Sequence, residues 1–297
     1  MQNFIFSDSK KKYSYKESLD ICYKIIQKNY ENFPVYMFFL KKNLMDDFAA
    51  LYAFSRGIDF IGDELDQNTK KGIKIWEREL SYSFKNKAKN PIFIVLQESI
   101  KKHKLNKEPF RKLIQANQMD QKVKRYKTME DLLYYCDHSA NPVGEAVLSI
   151  LGYKTKEIIE YSNSICTALQ LTNFLQDIKL DKKINRVYIP EEHLKNHRLH
   201  ESDFDENKII DETFKSSFEG LIRELVIYNQ SLYNNGKKIL PFLKKRDGII
   251  IQIFISSGEK ILNKINKNGI NILTNKPKTN NIEKIFIILK SFIRVLI

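Results

Sequence analysis

LYAFSRGIDFIGDE (51–64) and QLTNFLQDIKLDKKINRVYIP (170–190) decide the reading of this chain. Each carries two aspartates four residues apart, Asp59/Asp63 and Asp177/Asp181, in an apolar, helix-forming context. On an α-helix, residues four apart stand one above the other on a single face, so each pair offers two carboxylates to one point in space. Like charges held there repel by about 0.2–0.5 kcal/mol on an exposed helix, and by more if partly buried, unless a cation neutralises them. A hard oxygen donor set with no His or Cys beside it suits Mg²⁺, which binds through a few carboxylates and the phosphates of a substrate. A solvated helix face that happens to carry acids would explain one pair. Its recurrence in similar surroundings predicts a magnesium-dependent diphosphate site between helices.

The residues around each pair extend the pattern. Tyr52, Arg56, Asp59 and Asp63 fall at i, i+4, i+7 and i+11, one continuous stripe that mixes a phenol, a cation and two acids. Such a face suits neither a dry core nor plain solvent, but it suits a metal-bridged diphosphate with an arginine counter-charge. The plainer alternative is an Arg56–Asp59 surface ion pair beside a core tyrosine. In the second stretch Gln170, Asn173, Asp177 and Asp181 share a stripe, and Arg186 and Tyr188 follow in a candidate lid segment. Asn and Gln supply neutral oxygens and donors beside a metal without adding repulsion, or else serve as satisfied polar groups in helix packing.

Working outward, the 297 residues include only 10 Gly and 7 Pro, and Leu, Ile, Lys and Glu recur at three-to-four spacing. The fold class expected is all-α, as one domain over 1–297, because no Pro/Gly/Ser-rich linker divides the chain. Helices are expected over about Ser14–Asn29, Asp46–Glu64, around Trp76, Ile92–Lys102, Phe110–Met119, Tyr134–Leu151 behind a Thr128/Asp131 capping signal, Lys156–Leu180, Asp211–Asn234 and Gly248–Lys267. The net charge of +14 admits nucleic acid, an anionic membrane or a polyphosphate as partner. The basic residues are scattered and no nucleic-acid module is present, so membrane or diphosphate is favoured. Cys22, Cys136 and Cys166 show no metal-ligand or CxxC spacing, and their odd number fits a reducing cytoplasm. With no signal-peptide pattern and no apolar run of about 18 to 20 residues, a soluble or peripheral protein is expected.

These motifs carry a family resemblance. The helix text around Asp59, the NFLQDIKLD segment and the RVYIP that follows resemble the squalene/phytoene synthase family of head-to-head isoprenoid synthases. ENFPV (31–35), NPIF (90–93), YCDHSANPVG (135–144), LTNFLQD (171–177) and the SSG…ILNKI…NKP run (256–277) most resemble its hydroxysqualene synthase branch, from bacterial hopanoid biosynthesis. Other branches more often carry an Arg where Gln176 stands. The resemblance implies an all-α, single-domain isoprenoid synthase bundle with its aspartate stripes facing a central cavity. It implies that Asp59, Asp63, Asp177 and Asp181 ligate Mg²⁺, and that Tyr52, Arg56, Gln170, Asn173, Arg186 and Tyr188 line or close the diphosphate site. Phe33, Tyr135, Ala140, Val143 and Gly144 would line the prenyl channel. Two positions depart from the family pattern: Phe60 stands where a further Asp is usual, and Asn29 where a His is common. Position i+1 on a helix points about 100° away from the Asp59/Asp63 face, so Phe60 need not displace a ligand.

The function implied is ionisation of presqualene diphosphate and capture of water to give hydroxysqualene, with no nicotinamide cofactor. The alternatives are head-to-head condensation of two prenyl diphosphates such as farnesyl diphosphate, and a non-catalytic assembly factor or lipid-binding module. Finally, IEKIFIILKSFIRVLI (282–297) reads as an amphipathic helix. Its apolar face is expected either to pack on the core or to lie on the inner face of an anionic membrane.

Overall fold

The computed structural model describes residues 1–6, 11–28, 40–65, 68–204 and 209–296, so the expectations for Asn29 and for Phe33 within ENFPV lie outside the described residues. Every regular element among the described residues is a helix. They are α1 (Gln2–Ile5), α2 (Tyr15–Lys28), α3 (Met45–Glu64), α4 (Thr69–Ser83), α5 (Pro91–His103), α6 (Glu108–Asp120), α7 (Met129–Ser139), α8 (Asn141–Leu151), α9 (Lys156–Gln176), α10 (Ile178–Lys183), α11 (Glu191–Asn196), α12 (Glu212–Gly236), α13 (Lys245–Asn268) and α14 (Asn281–Leu296). They form two compact units, one from 1–122 and 142–155, the other from 123–141 and 156–297.

In the first unit, α3 packs against α2, α4, α5 and α6. Its core is an aromatic cluster in which Phe54 meets Phe93 and Phe110 edge-on at 5.7 and 5.2 Å, and Trp76 meets Phe93 at 4.7 Å. Gly57 permits this packing, since a Cβ there would stand 2.4 Å from the Trp76 ring. The start of α3 is fastened by Asp47, which is buried, accepts from Ser99 Oγ at 2.8 Å and Lys102 Nζ at 2.7 Å, and lies 2.8 Å from His103 Nε2. The NPIF stretch is a helix start: Asn90 caps α5 by accepting from Ile92 N at 3.0 Å, with Pro91 at the first helical position.

In the second unit, α9 packs most extensively on α12. A buried polar ladder joins them. Asn229 Nδ2 donates to Ala168 O and Thr172 Oγ1, and Thr172 Oγ1 shares a 2.9 Å hydrogen bond with Tyr233 OH. Gly258 of α13 makes room for that hydroxyl, since a Cβ there would collide with it. The Thr128/Asp131 capping box forms as expected, at 3.1 and 3.2 Å, and Asp211 caps α12 through Thr213 N and Phe214 N.

Two helices expected as continuous are interrupted. The run ending at Leu151 divides after Ser139, because Pro142 has no N–H to give and its ring crowds the preceding turn; the chain restarts with Pro142 in the first turn of α8. The run expected to Leu180 divides at Asp177, whose backbone (φ −109°, ψ 11°) leaves helical geometry. None of the three cysteines forms a disulfide, and burial pushes the Cys22 and Cys136 thiols up to about 12. Among the described residues, no helix is long and apolar enough to cross a membrane.

Candidate active site

Helix α3 carries Tyr52, Arg56, Asp59 and Asp63 on one stripe, anchored from below by the aromatic cluster and presenting Asp59 and Asp63 to solvent. Arg56 Nη2 donates to Glu64 Oε1 at 2.7 Å, which ties the guanidinium to the last turn of the helix. Over that turn lies the end of α6. Gly62 lets it approach: a Cβ there would meet Asn117 Oδ1 at 2.2 Å, and Gln121 Nε2 donates to Gly62 O at 3.1 Å. Surrounding protein, then Asp63, and to a smaller degree Asp120 push the Asp59 carboxyl up to about 7, against the pull of Arg56 and a hydrogen bond from Asn117. Solvent reaches this carboxylate, which limits the rise. Its direction follows from burial, with the Asp63 charge adding to it. Burial, with Asp59 adding, likewise pushes the Tyr52 phenol up. Asn117 and Asp120 were not singled out in the sequence. Their signal was the polar QANQMDQ run (115–121), in which they stand three apart on an otherwise amphipathic helix.

In the second unit Gln170 and Asn173 sit on α9, Asp177 at its break and Asp181 on α10. The break does not scatter them. Asp177 N bonds Asn173 O at 2.9 Å and Asp181 N bonds Asp177 O at 2.8 Å, so helical i,i+4 closure persists through the interruption. Lys276 forms an ion pair with Asp177, and Gln176 Nε2 donates to the neighbouring Pro277 carbonyl. The NKP stretch is thereby tied to the second acid pair. After α10 the chain turns at Asn185, in the left-handed region at φ 59°. Arg125 fixes that turn by donating to Asn185 O at 2.7 Å and to its Oδ1 at 2.9 Å while pairing with Glu201. Arg186 then lines a small concavity with Asp181, Phe174, Ile178 and Tyr188.

Tyr188 is buried and stacks face to face on Phe174, with centroids 3.8 Å apart, inside a cluster that includes Tyr126 and Tyr135. The apolar void beside it, lined by Leu132, Leu171, Phe174 and Tyr228 among others, is about 20 Å³. That is room for one water and not for a prenyl chain. Of the residues expected along such a channel, Ala140 ends the turn between α7 and α8, while Val143 is half-buried and Gly144 buried in α8.

The family model for squalene/phytoene synthase matches residues 26–283, which include both acid pairs. The chain belongs to the squalene/phytoene synthase family. It is similar to the hydroxysqualene synthase of Zymomonas mobilis, at 32% identity over 163 residues, covering 54% of each protein; the match spans about half the length of that relative. Among solved structures it resembles the squalene synthase HpnC from Alicyclobacillus acidocaldarius, with 33% identity and a TM-score of 0.81 over 86% of this chain and 95% of that one. It also shares its fold with a dehydrosqualene synthase, with a TM-score of 0.84 and 22% identity over 95% and 98% of the two chains. The all-α isoprenoid synthase fold expected from the sequence is the fold observed.

The donor chemistry fits a hard divalent ion. Both motifs offer carboxylate and amide oxygens, and Asp59, raised first by burial, is raised further by its neighbour Asp63. Among the described residues, no three acid, His or Cys side chains converge to hold an ion by themselves.

Proposed function

We propose that the protein converts presqualene diphosphate and water to hydroxysqualene and diphosphate, using Mg²⁺ held by Asp59, Asp63, Asp177 and Asp181. The observation that carries this reading is the presence of both acid pairs within the family match, with Asp63 adding to burial in raising the Asp59 carboxyl. The likeness to a hydroxysqualene synthase favours this reaction over its relatives. When bound, Mg²⁺ supplies positive charge that neutralises the diphosphate as it departs.

The chain's own residues do the rest. Arg56 and Arg186 offer guanidinium groups suited to phosphate oxygens, and Gln170 and Asn173 add neutral donors that orient them. Tyr52, a neutral phenol, donates a hydrogen bond without adding charge. As the carbon–oxygen bond to diphosphate breaks, its electron pair leaves with the diphosphate. The cyclopropylcarbinyl cation rearranges, water adds to it through oxygen, and one proton is released. Water quenches the cation, so the reaction consumes no hydride and needs no nicotinamide. Because substrate and product are long hydrocarbons, the reading includes work at the inner face of a membrane.

Head-to-head condensation of two prenyl diphosphates is the second reading, supported by similarity to phytoene synthases such as that of Arabidopsis thaliana, at 24% identity over 244 residues. Purified protein with Mg²⁺ is given presqualene diphosphate or farnesyl diphosphate separately, and products are identified by mass spectrometry. Hydroxysqualene from presqualene diphosphate alone is expected. A C30 product made from farnesyl diphosphate would replace the first reading by the second, and no turnover of either would favour a non-catalytic lipid-binding role.

A further inference from the structure

Helix α14 has two unlike faces, and the more apolar one points away from the protein. Its inner face is fastened to α13. Glu283 pairs with Lys260 at 3.1 Å and Lys264 at 2.6 Å, Asn280 caps the helix by accepting from Glu283 N at 2.8 Å, Ser291 is fully buried, and Val295 packs against Gly248. These lysine hydrogen bonds hold the Glu283 carboxyl down at about 2. Opposite them, Ile282, Ile285, Phe286, Leu289 and Ile293 are each between 55 and 66% exposed. They stand at i, i+3, i+4, i+7 and i+11, one unbroken stripe along the helix, with exposed Lys290 and Arg294 on its flank. Five large side chains kept wet in a row oppose the usual burial of such residues and mark an interaction surface.

We propose that this stripe docks the protein on the surface of an anionic lipid bilayer. The inference rests on the membrane-face part of the reading above and names the surface that makes the contact. Charge selects lipid over a second copy of the chain, because two copies carrying +14 each repel. A bilayer also sets no minimum contact area, because binding to it scales with whatever apolar area enters the acyl boundary. The flank is cationic, the chain carries +14 overall, and an anionic headgroup layer attracts both. The helix would lie in the interface plane with its stripe among the acyl chains and Lys290 and Arg294 at headgroup level, a geometry its anchoring on α13 already presents.

The test is sedimentation of full-length protein with phosphatidylglycerol-containing vesicles and with pure phosphatidylcholine vesicles, without substrate or metal, so that it reads docking independently of catalysis. The parent is expected to bind the anionic vesicles, and added salt to weaken that binding. I285S/F286S/L289S, which alters only exposed positions and is checked for an unchanged melting temperature, should lose about a hundredfold in affinity. K290E/R294E should lose the preference for anionic over neutral vesicles while keeping the apolar stripe. The proposal is overturned if the parent ignores anionic vesicles, if the triple serine variant binds as tightly as the parent, or if the parent is a dimer that the serine variant converts to monomer.

Discussion

Replacing Asp59 by Asn should abolish turnover and stabilise the protein, and the gain should depend on pH. Asp59 is held at about 7 in the folded chain against an ordinary 3.8, so the folded state binds its proton more tightly than the unfolded state does. Folding stability therefore falls as pH rises from about 4 to about 7, and the whole penalty is present above that window. Taken at full value, the rise corresponds to about 4 kcal/mol. Solvent reaches the carboxylate and screens it, which leaves ~1 kcal/mol. In a chain of this size that is about 2–4 °C in melting temperature. Asn keeps the side-chain shape and cannot ionise, so the variant should melt higher than the parent at pH 8, with the gain shrinking nearly to nothing at pH 3, below the ordinary carboxylate pKa. Thermal melts of both proteins at the two pH values, without divalent ions, supply the measurement. A variant less stable at pH 8, or a gain equal at both pH values, would refute the account of crowded carboxylates. A variant that turned over like the parent would remove Asp59 from the metal site.

Lys276→Met leaves Asp177 beside Asp181 without its ammonium partner, so metal-free stability should fall by about 1 kcal/mol; less Mg²⁺ should then be needed to raise the melting temperature, as a titration of Tm against Mg²⁺ would read. Gly57→Ala drives a methyl into the Trp76 ring and should cost about 1–3 kcal/mol in denaturant melts, even though Ala favours helix. Arg125→Met frees the Asn185 turn that precedes Arg186 and Tyr188, so limited proteolysis should cut near residue 185 and kcat should fall more than overall stability does. An uncut turn with unchanged kcat would show that Arg125 is dispensable.

The helices and both acid pairs were legible because they rest on local periodicity: Tyr52 through Asp63 form a stripe whatever packs against them. The Thr128/Asp131 cap was legible for the same reason, being complete within four residues. What escaped was set by partners distant in sequence. Asn117 and Asp120 reach α3 from more than fifty residues away, and nothing in their own helix marks that destination. Lys276 meets Asp177 across about a hundred residues. The break before Pro142 was written in the proline itself, but the interruption at Asp177 has no such marker. For α14 the sequence yields two faces but not which one is buried; Ser291 and the Glu283 ion pairs decide that, and they turn the greasier face outward. The channel residues were named from resemblance, and beside Tyr188 the chain has room for a single water.

Trp76 is the only tryptophan in the chain, fully buried against Phe93 and within reach of Gly57, a short step along α3 from Asp59. The protein thus comes with one intrinsic fluorophore, seated in the first unit and under the helix that bears its acid pair, while Tyr126, Tyr135 and Tyr188 cluster in the second. Excitation at the red edge of the indole band would follow the loosening of one unit without labelling. Far-ultraviolet dichroism sums over both. If the two signals trace a single transition on heating, the units melt as one; if emission shifts first, the acid-bearing helix lets go while the rest of the chain remains wound.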